Sequence, residues 1–255
     1  MYENTIEQDI KNIQTIYISA HVNPDGDAVG SVMGLAFALE KLGKTPVILL
    51  EHFGEEFNIL NGNRFLYNGD YSELNPEIMF AVDCGDKERL GEAGSVFDRA
   101  TLTYNIDHHI SNNLFGDKNI VNSQASSACE VVYELVSKFV DIDLNIATAL
   151  YTGILTDTGC FRHSNVTKRT HTISGELIEC GVNNTKIYDS LFDNKPYEKV
   201  KLMGYALSRL ELLVNNKVSF IELSKELLDS VSLGNLDTSD IISIALGIEG
   251  VEVAV

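Results

Sequence analysis

The chain has 255 residues, with 37 Asp and Glu against 19 Lys and Arg, and a formal net charge of −18. At 44% hydrophobic residues it can bury a real core. So acidic a surface excludes long DNA or RNA as a partner, because those need phosphate neutralisation by many Lys and Arg, but it leaves room for a short anion drawn to local positive charge.

The N-terminus MYENTIEQDIKNIQ is polar and amphipathic, unlike a secretory leader, and no stretch has the apolar length of a membrane span. TIYISA (15–20) is β-branched and apolar and predicts a buried strand. A loop, HVNPDGD, follows it, and then AVGSVMGLAFALEKLGK predicts a helix ending near Gly43. TPVILLE (45–51), IMFAVDC (78–84) and LTYNID (102–107) predict three more strands. Strands alternating with helices at this spacing predict an α/β fold with a mostly parallel sheet flanked by helices. SSACEVVYELVSKFV (126–140) and LNIATALYTGILTD (144–157) are periodic helices, with Asp141 and Asp143 as turn and cap residues between them. RTHTISGELIECGVN (169–183) predicts a helix stopped at Gly181. Residues 183–199 read as a linker with some helix in it. Beyond it, LMGYALSRLELLV predicts a helix, NNKVSFIEL a strand, the next segment a helix, and IEGVEVAV a terminal strand without a following partner. The expected organisation is a catalytic domain over 1–185, a linker over 186–199, and a smaller, incomplete α/β domain over 200–255. The four cysteines, Cys84, Cys129, Cys160 and Cys180, are scattered without a CxxC, which fits reduced thiols and a cytoplasmic location.

Acidic and imidazole side chains recur just after apolar runs: His21, Asp25 and Asp27; Asp83; Asp107, His108 and His109; and Asp157. In an open α/β sheet, ligands bind beyond the carboxyl ends of the strands, so these remote segments can converge there. Taken singly, each is more ordinary. NPDGD is a run of turn residues, Asp83 reads as a helix cap, and DHH or TDTG reads as a polar loop. An EF-hand is ruled out, since starting from Asn23 the required Gly and Glu positions hold Ala28 and Gly34. Together they form a set of oxygen and nitrogen ligands without thiolate, which suits two divalent ions of the Mn²⁺ type better than structural zinc. Cations would also offset the repulsion among so many carboxylates. Paired ions suit phosphate ester cleavage.

HVNPDGDAVGS, VDCGD, IDHH and TDTGCFRHSN, in this order, resemble the successive motifs of the DHH phosphoesterase superfamily over about residues 15–185. Within it, they are most similar to the group of stand-alone oligoribonucleases that also act as phosphatases on 3′-phosphoadenosine 5′-phosphate (pAp). Residues 200–255 resemble the start of the accompanying DHHA1 substrate-binding domain, whose GGGH-type motif is not reached by residue 255. The resemblance implies His21, Asp25 and Asp83 on one metal and Asp27, Asp83, His108 and Asp157 on the other, with Asp83 bridging. It implies that His109 faces the substrate phosphate as an acid or phosphate binder, and that Asp107 orients His108. Gly26 is then the hinge that lets Asp25 and Asp27 serve two ions. His109 and Asp107 are accordingly the candidate catalytic residues, and His109, Arg162 and Asn165 the candidate substrate contacts. His163 is a weaker one, and Ser126 and Ser127 read first as helix caps. Cys84 and Cys160 read as small buried hydrophobes, and His52 and His171 as surface or packing residues. The implied activity is metal-dependent hydrolysis of short oligoribonucleotides or pAp, with a short nucleotide as the partner. Cyclic di-adenylate or its linear product, inorganic pyrophosphate, and a non-catalytic nucleotide-binding role are the alternatives. Oligomeric state stays open, with a homodimer as one form.

Overall fold

A computed structural model describes residues 3–50, 53–224 and 239–255. The chain divides into two compact units, Met1–Leu191 and Phe192–Val255.

In the first unit, β1 (Thr15–Ser19), β2 (Thr45–Leu49), β3 (Ile78–Val82), β4 (Leu102–Asp107) and β5 (Lys118–Val121) form one parallel sheet in the order β2-β1-β3-β4-β5. All five residues of IMFAV are buried, as expected for the central strand of a sheet covered on both faces. Met79 and Ala81 point to one face, where they pack with Val96 and Phe97 of α3 (Ala93–Arg99). The long helix α2 (Gly26–Lys41) is buried along its length from Gly26 to Leu39, and packs against α4 (Ala128–Val136) and α5 (Leu144–Asp157). A helix enclosed in this way reads as apolar all round rather than as an amphipathic stripe. Asp143 caps α5 through the amides of Asn145 and Ile146. α6 (Lys168–Glu179) ends before Gly181, which takes φ +98.

Several elements of the first unit differ from the sequence reading. α2 starts at Gly26, two residues earlier than the predicted loop allowed, because Asp25 caps it with a carboxylate that accepts from the amides of Asp27 and Ala28. β5 was not foreseen. Its four residues, KNIV, are all half-buried and carry no alternation. Residues 184–188 form a helix, α7, whose Ile187 is buried, and Ser190 bonds the Glu56 carbonyl, so this part of the expected linker packs within the first unit.

α1 (Glu3–Ile10) is tied down at its C-terminal end. The Lys44 ammonium donates to the carbonyls of Ile10 (2.6 Å), at the end of α1, and of Lys11 (2.9 Å) and Ile13 (2.9 Å) in the turn that follows it. Lys44→Met is expected to cost about 1–2 kcal/mol, since charged hydrogen bonds contribute on that order. The check is the urea midpoint at constant m-value, and an unmoved midpoint would refute the role.

The second unit holds α8 (Tyr197–Ser208), β6 (Glu211–Leu213), β7 (Val218–Phe220), α9 (Ser239–Leu246) and β8 (Val253–Ala254). LELL, read as helix, is instead the first arm of an antiparallel hairpin with β7. Val214, Asn215 and Asn216 all take positive φ at its turn, a geometry that Asn tolerates. The terminal strand β8 runs parallel to β7, which precedes it in the chain. The helix predicted after NNKVSFIEL lies outside the described residues from residue 225 onward.

Candidate metal centre

The site lies at the carboxyl ends of β1, β3 and β4, on the switch point where chain order in the sheet reverses around β1 and β3. β1 delivers His21, β3 delivers Asp83, and β4 delivers Asp107 followed by His108 and His109. Helix ends supply the remainder, with Asp25 and Asp27 at the start of α2 and Asp157 as the last residue of α5.

Asp83 sits at the centre. Its Oδ2 is 3.5 Å from His21 Nε2, and its Oδ1 is 3.6 Å from His108 Nε2 and 3.8 Å from His109 Nδ1. His21 Nε2 also faces Asp25 Oδ1 at 3.8 Å. His108 Nε2 faces Asp27 Oδ2 at 3.7 Å and Asp157 Oδ2 at 3.8 Å. The structure thus brings together His21, Asp25 and Asp83 in one group, Asp27, His108 and Asp157 in a second, and Asp83, Asp107, His108 and His109 in a third. Asp83 adopts φ +50, a left-handed conformation that Asp tolerates better than most residues.

The electrostatics are those of an anionic nest. Burial, together with the charges of Asp83 and Asp157, pushes the Asp27 carboxyl well above the usual carboxylate range. Burial raises Asp157 likewise, with His108 opposing and Asp83 and Asp25 adding to the rise. The imidazoles move in the complementary direction. Burial alone would lower His21, but bonds to Asp25 and Asp83 carry it up to about 10. His108, against the same burial, is carried up to about 9 by Asp83, Asp27 and Asp157. Asp83 Oδ1, moreover, is buried and has no hydrogen-bond partner. A buried carboxylate oxygen left in this way is costly unless something positive meets it. Only carboxylate and imidazole atoms converge here, a donor set that fits divalent ions preferring oxygen and nitrogen.

The positioning groups around these residues are mostly ones the sequence reading missed. Asp27 is held by the N-terminus of α4: Ala128 N–H donates to Oδ2 (2.6 Å) and Cys129 N–H to Oδ1 (3.0 Å). Ser127 caps that helix, accepting from Glu130 N–H. Glu130, buried to 2% exposure, accepts from Ser126 Oγ (2.6 Å), Ser126 N–H and Thr170 Oγ1. Ser126 in turn offers its carbonyl to Asn165 Nδ2 (2.9 Å), which also donates to the Asp157 carbonyl (3.2 Å). Glu130, the first of two Glu residues in the apolar run ACEVVYELV, was the available signal, since a carboxylate buried there needs partners.

Several expectations are corrected. Asp107 orients His109 rather than His108: its Oδ1 lies 2.7 Å from His109 Nδ1. Two residues on from a strand end, position 109 returns to the side of 107, whereas 108 points the other way, toward α2 and α5. Gly26 is not a hinge. It is the first residue of α2, and a Cβ there would come within 2.8 Å of the Thr156 Cβ on α5, so the glycine permits the close approach of two helices. Asn165 donates Nδ2 to the carbonyls of Ser126 and Asp157, and its Oδ1 is buried without a partner, so the structure places it as a support of Asp157. Arg162 is exposed, in electrostatic range of the Cys160 thiol, and the structure does not bring it to the acids. His163 Nδ1 lies near the Asp157 carbonyl at 3.3 Å on an exposed turn. Cys84 is buried, with its thiol pushed up to about 12 by burial, but Cys160 is only half-buried. His171 stacks on Phe161; His52 lies outside the described residues.

A family model described as "DHH family, N-terminal domain" matches residues 15–154. The bifunctional oligoribonuclease and PAP phosphatase NrnA of Thermus thermophilus is 34% identical over 203 residues, covering 76% of this chain and 58% of the relative's own length. The Bacillus subtilis protein of the same name is 28% identical over 251 residues, covering 93% of this chain and 75% of that relative. Among solved structures, an exopolyphosphatase-related protein from Bacteroides fragilis superposes with a TM-score of 0.91 at 25% identity, over 98% of this chain and 77% of that one. With the N-terminal domain matched over more than half of its residues, this chain belongs to the DHH family.

Proposed function

We propose that the protein is a metal-dependent phosphoesterase acting on short oligoribonucleotides and on pAp. The observation that carries this reading is Asp83, a buried carboxylate with one unpartnered oxygen, standing between the His21–Asp25 side and the His108–Asp27–Asp157 side. In the proposal, His21, Asp25 and Asp83 hold one divalent ion, and Asp27, Asp83, His108 and Asp157 hold the other. Bound there, two such ions supply an acidified water and neutralise charge on a phosphate. The protein's own groups do the rest. Asp27 keeps its geometry through the α4 amides, Asn165 steadies Asp157, and His109, one-third exposed and fixed at Nδ1 by Asp107, offers Nε2 to the phosphate. Two relatives bear names specifying oligoribonuclease and PAP phosphatase, which supports this substrate class. The net charge of −18 favours short substrates over long ones. Mn²⁺ is the proposed ion, on the grounds of the oxygen- and nitrogen-donor set, and the cytoplasm the proposed location, on the grounds of its unpaired cysteines.

The test is a substrate panel with Mn²⁺: a 5′-phosphorylated dinucleotide, longer oligomers, pAp, cyclic di-adenylate and pyrophosphate. Release of mononucleotide from the dinucleotide and of phosphate from pAp is expected. Absence of both, or turnover of pyrophosphate or cyclic dinucleotide alone, would overturn the reading.

A further inference from the structure

We propose that Asn112 is a positioning residue that sets the orientation of the His109 ring through Asp107. Asp107 is wholly buried, and its two carboxylate oxygens are divided between two partners. Oδ1 takes His109 Nδ1 at 2.7 Å, and Oδ2 takes Asn112 Nδ2 at 2.6 Å. The same Nδ2 donates to Asn105 Oδ1 at 2.7 Å and lies 3.3 Å from the Cys84 carbonyl, to which Asn105 Nδ2 also donates at 3.0 Å. The chain of amides therefore runs from the turn after β4 to the residue that follows Asp83. On its other side, Asn112 Oδ1 accepts from Leu114 N–H at 2.7 Å, which settles which end of the amide is the donor.

This arrangement fixes two things. An amide donor on Oδ2 prevents the Asp107 carboxylate from rotating, so Oδ1 stays aimed at His109. A carboxylate on Nδ1 makes that nitrogen the protonated one, which leaves Nε2 as the ring atom that can meet a ligand. Buried amide networks of this kind hold one arrangement because every alternative leaves a polar atom unpaired. Asn112 lies four residues from the nearest residue of the proposed ligand set and touches none of that set itself. Its effect on turnover rests on the proposed phosphoesterase reading; its effect on the ring does not.

Asn112→Asp keeps the shape and the acceptor for Leu114 but turns the donor into a carboxylate facing Asp107. In ¹⁵N-histidine spectra of the metal-free protein, the wild type is expected to show a downfield Nδ1–H proton, assigned to His109 by its loss in His109→Ala. That proton should disappear or move upfield in Asn112→Asp. With Mn²⁺ and the 5′-phosphorylated dinucleotide, kcat should fall about 10–100-fold, as for other groups that orient a site residue, with KM within about twofold and two bound metals retained. The double variant Asn112→Asp/His109→Ala should be no slower than His109→Ala alone, because residues acting as one unit do not add. If Asn112→Asp does not fold, Asn112→Ser is read by the same measures. An unchanged Nδ1–H resonance, or losses that multiply in the double variant, would overturn the proposal. Full activity in His109→Ala would instead sink the functional role given to His109, while the resonance would still report on Asn112.

Discussion

Asp83→Asn is expected to abolish metal binding at both positions while leaving the metal-free fold intact or slightly more stable. Asp83 is the residue that the two sides of the cluster share, with His21 near one oxygen and His108 near the other. Asn keeps the size of the side chain and tolerates the left-handed backbone at this position, which Ala would not do as well. Without metal, removing this charge relieves the repulsion that drives the Asp27 carboxyl upward. With metal at a hundred times its dissociation constant, the wild type gains about 2.7 kcal/mol that the variant cannot. The two thermal transitions should therefore cross, the variant being equal or higher in chelator and lower in Mn²⁺. Loss of several kcal/mol of charge stabilisation implies a fall in turnover of about three orders of magnitude. Metal content measured on gel-filtered protein is the direct check, and a variant that retains two ions would remove Asp83 from the bridging role.

The second large effect is expected from Gly153→Ala, a substitution in the middle of α5 and outside the cluster. A Cβ at this position would stand 2.8 Å from Asp27 Oδ1 and 3.0 Å from the Asp27 Cα, and would also press on Cys129 Sγ. In an exposed helix this change would stabilise, since Ala is the better helix former by roughly 1 kcal/mol. Here it drives a methyl group into the contact between α2, α4 and α5. Overpacking of that kind costs about 1–3 kcal/mol. The same methyl pushes on the carboxylate that the amides of Ala128 and Cys129 hold, so metal affinity should fall by about 10–100-fold. Denaturant unfolding in chelator and metal titration of the folded protein separate the two consequences. Greater stability in the variant would show that the helices can part without cost.

Much of this was legible in the sequence, for a physical reason. A strand buried on both faces has to be a continuous apolar run, so IMFAV announces itself, TIYIS and TPVIL are nearly as apolar, and the polar residues that follow these strands are then set at the carboxyl ends. β5 escaped because an edge strand of four half-buried residues carries no period. β6, and with it the hairpin to the expected strand β7, escaped because ELL, exposed at all three residues, continues the apolar spacing of the helix before it. In the site, the residue types gave the set but not the pairing. DHH does not reveal that Asp107 reaches past its neighbour to His109, since that depends on the direction in which β4 ends. Nor does SSAC disclose that its amides serve Asp27, a bond that spans 102 positions of chain. Asn112 was invisible and Glu130 only faintly marked, because amides and acids are common on surfaces, and only burial gives them meaning.

The parallel sheet has a consequence for the order of events in the life of the molecule. No two of its paired strands can be closed by a hairpin, so every pairing waits on a crossover, and contact order is high throughout the first unit. His21, Asp83, His108 and Asp157 lie on segments that meet only when those crossovers are complete. The nascent chain therefore offers an ion nothing better than scattered carboxylates. A divalent ion would therefore meet its proposed ligands together only once the sheet is complete.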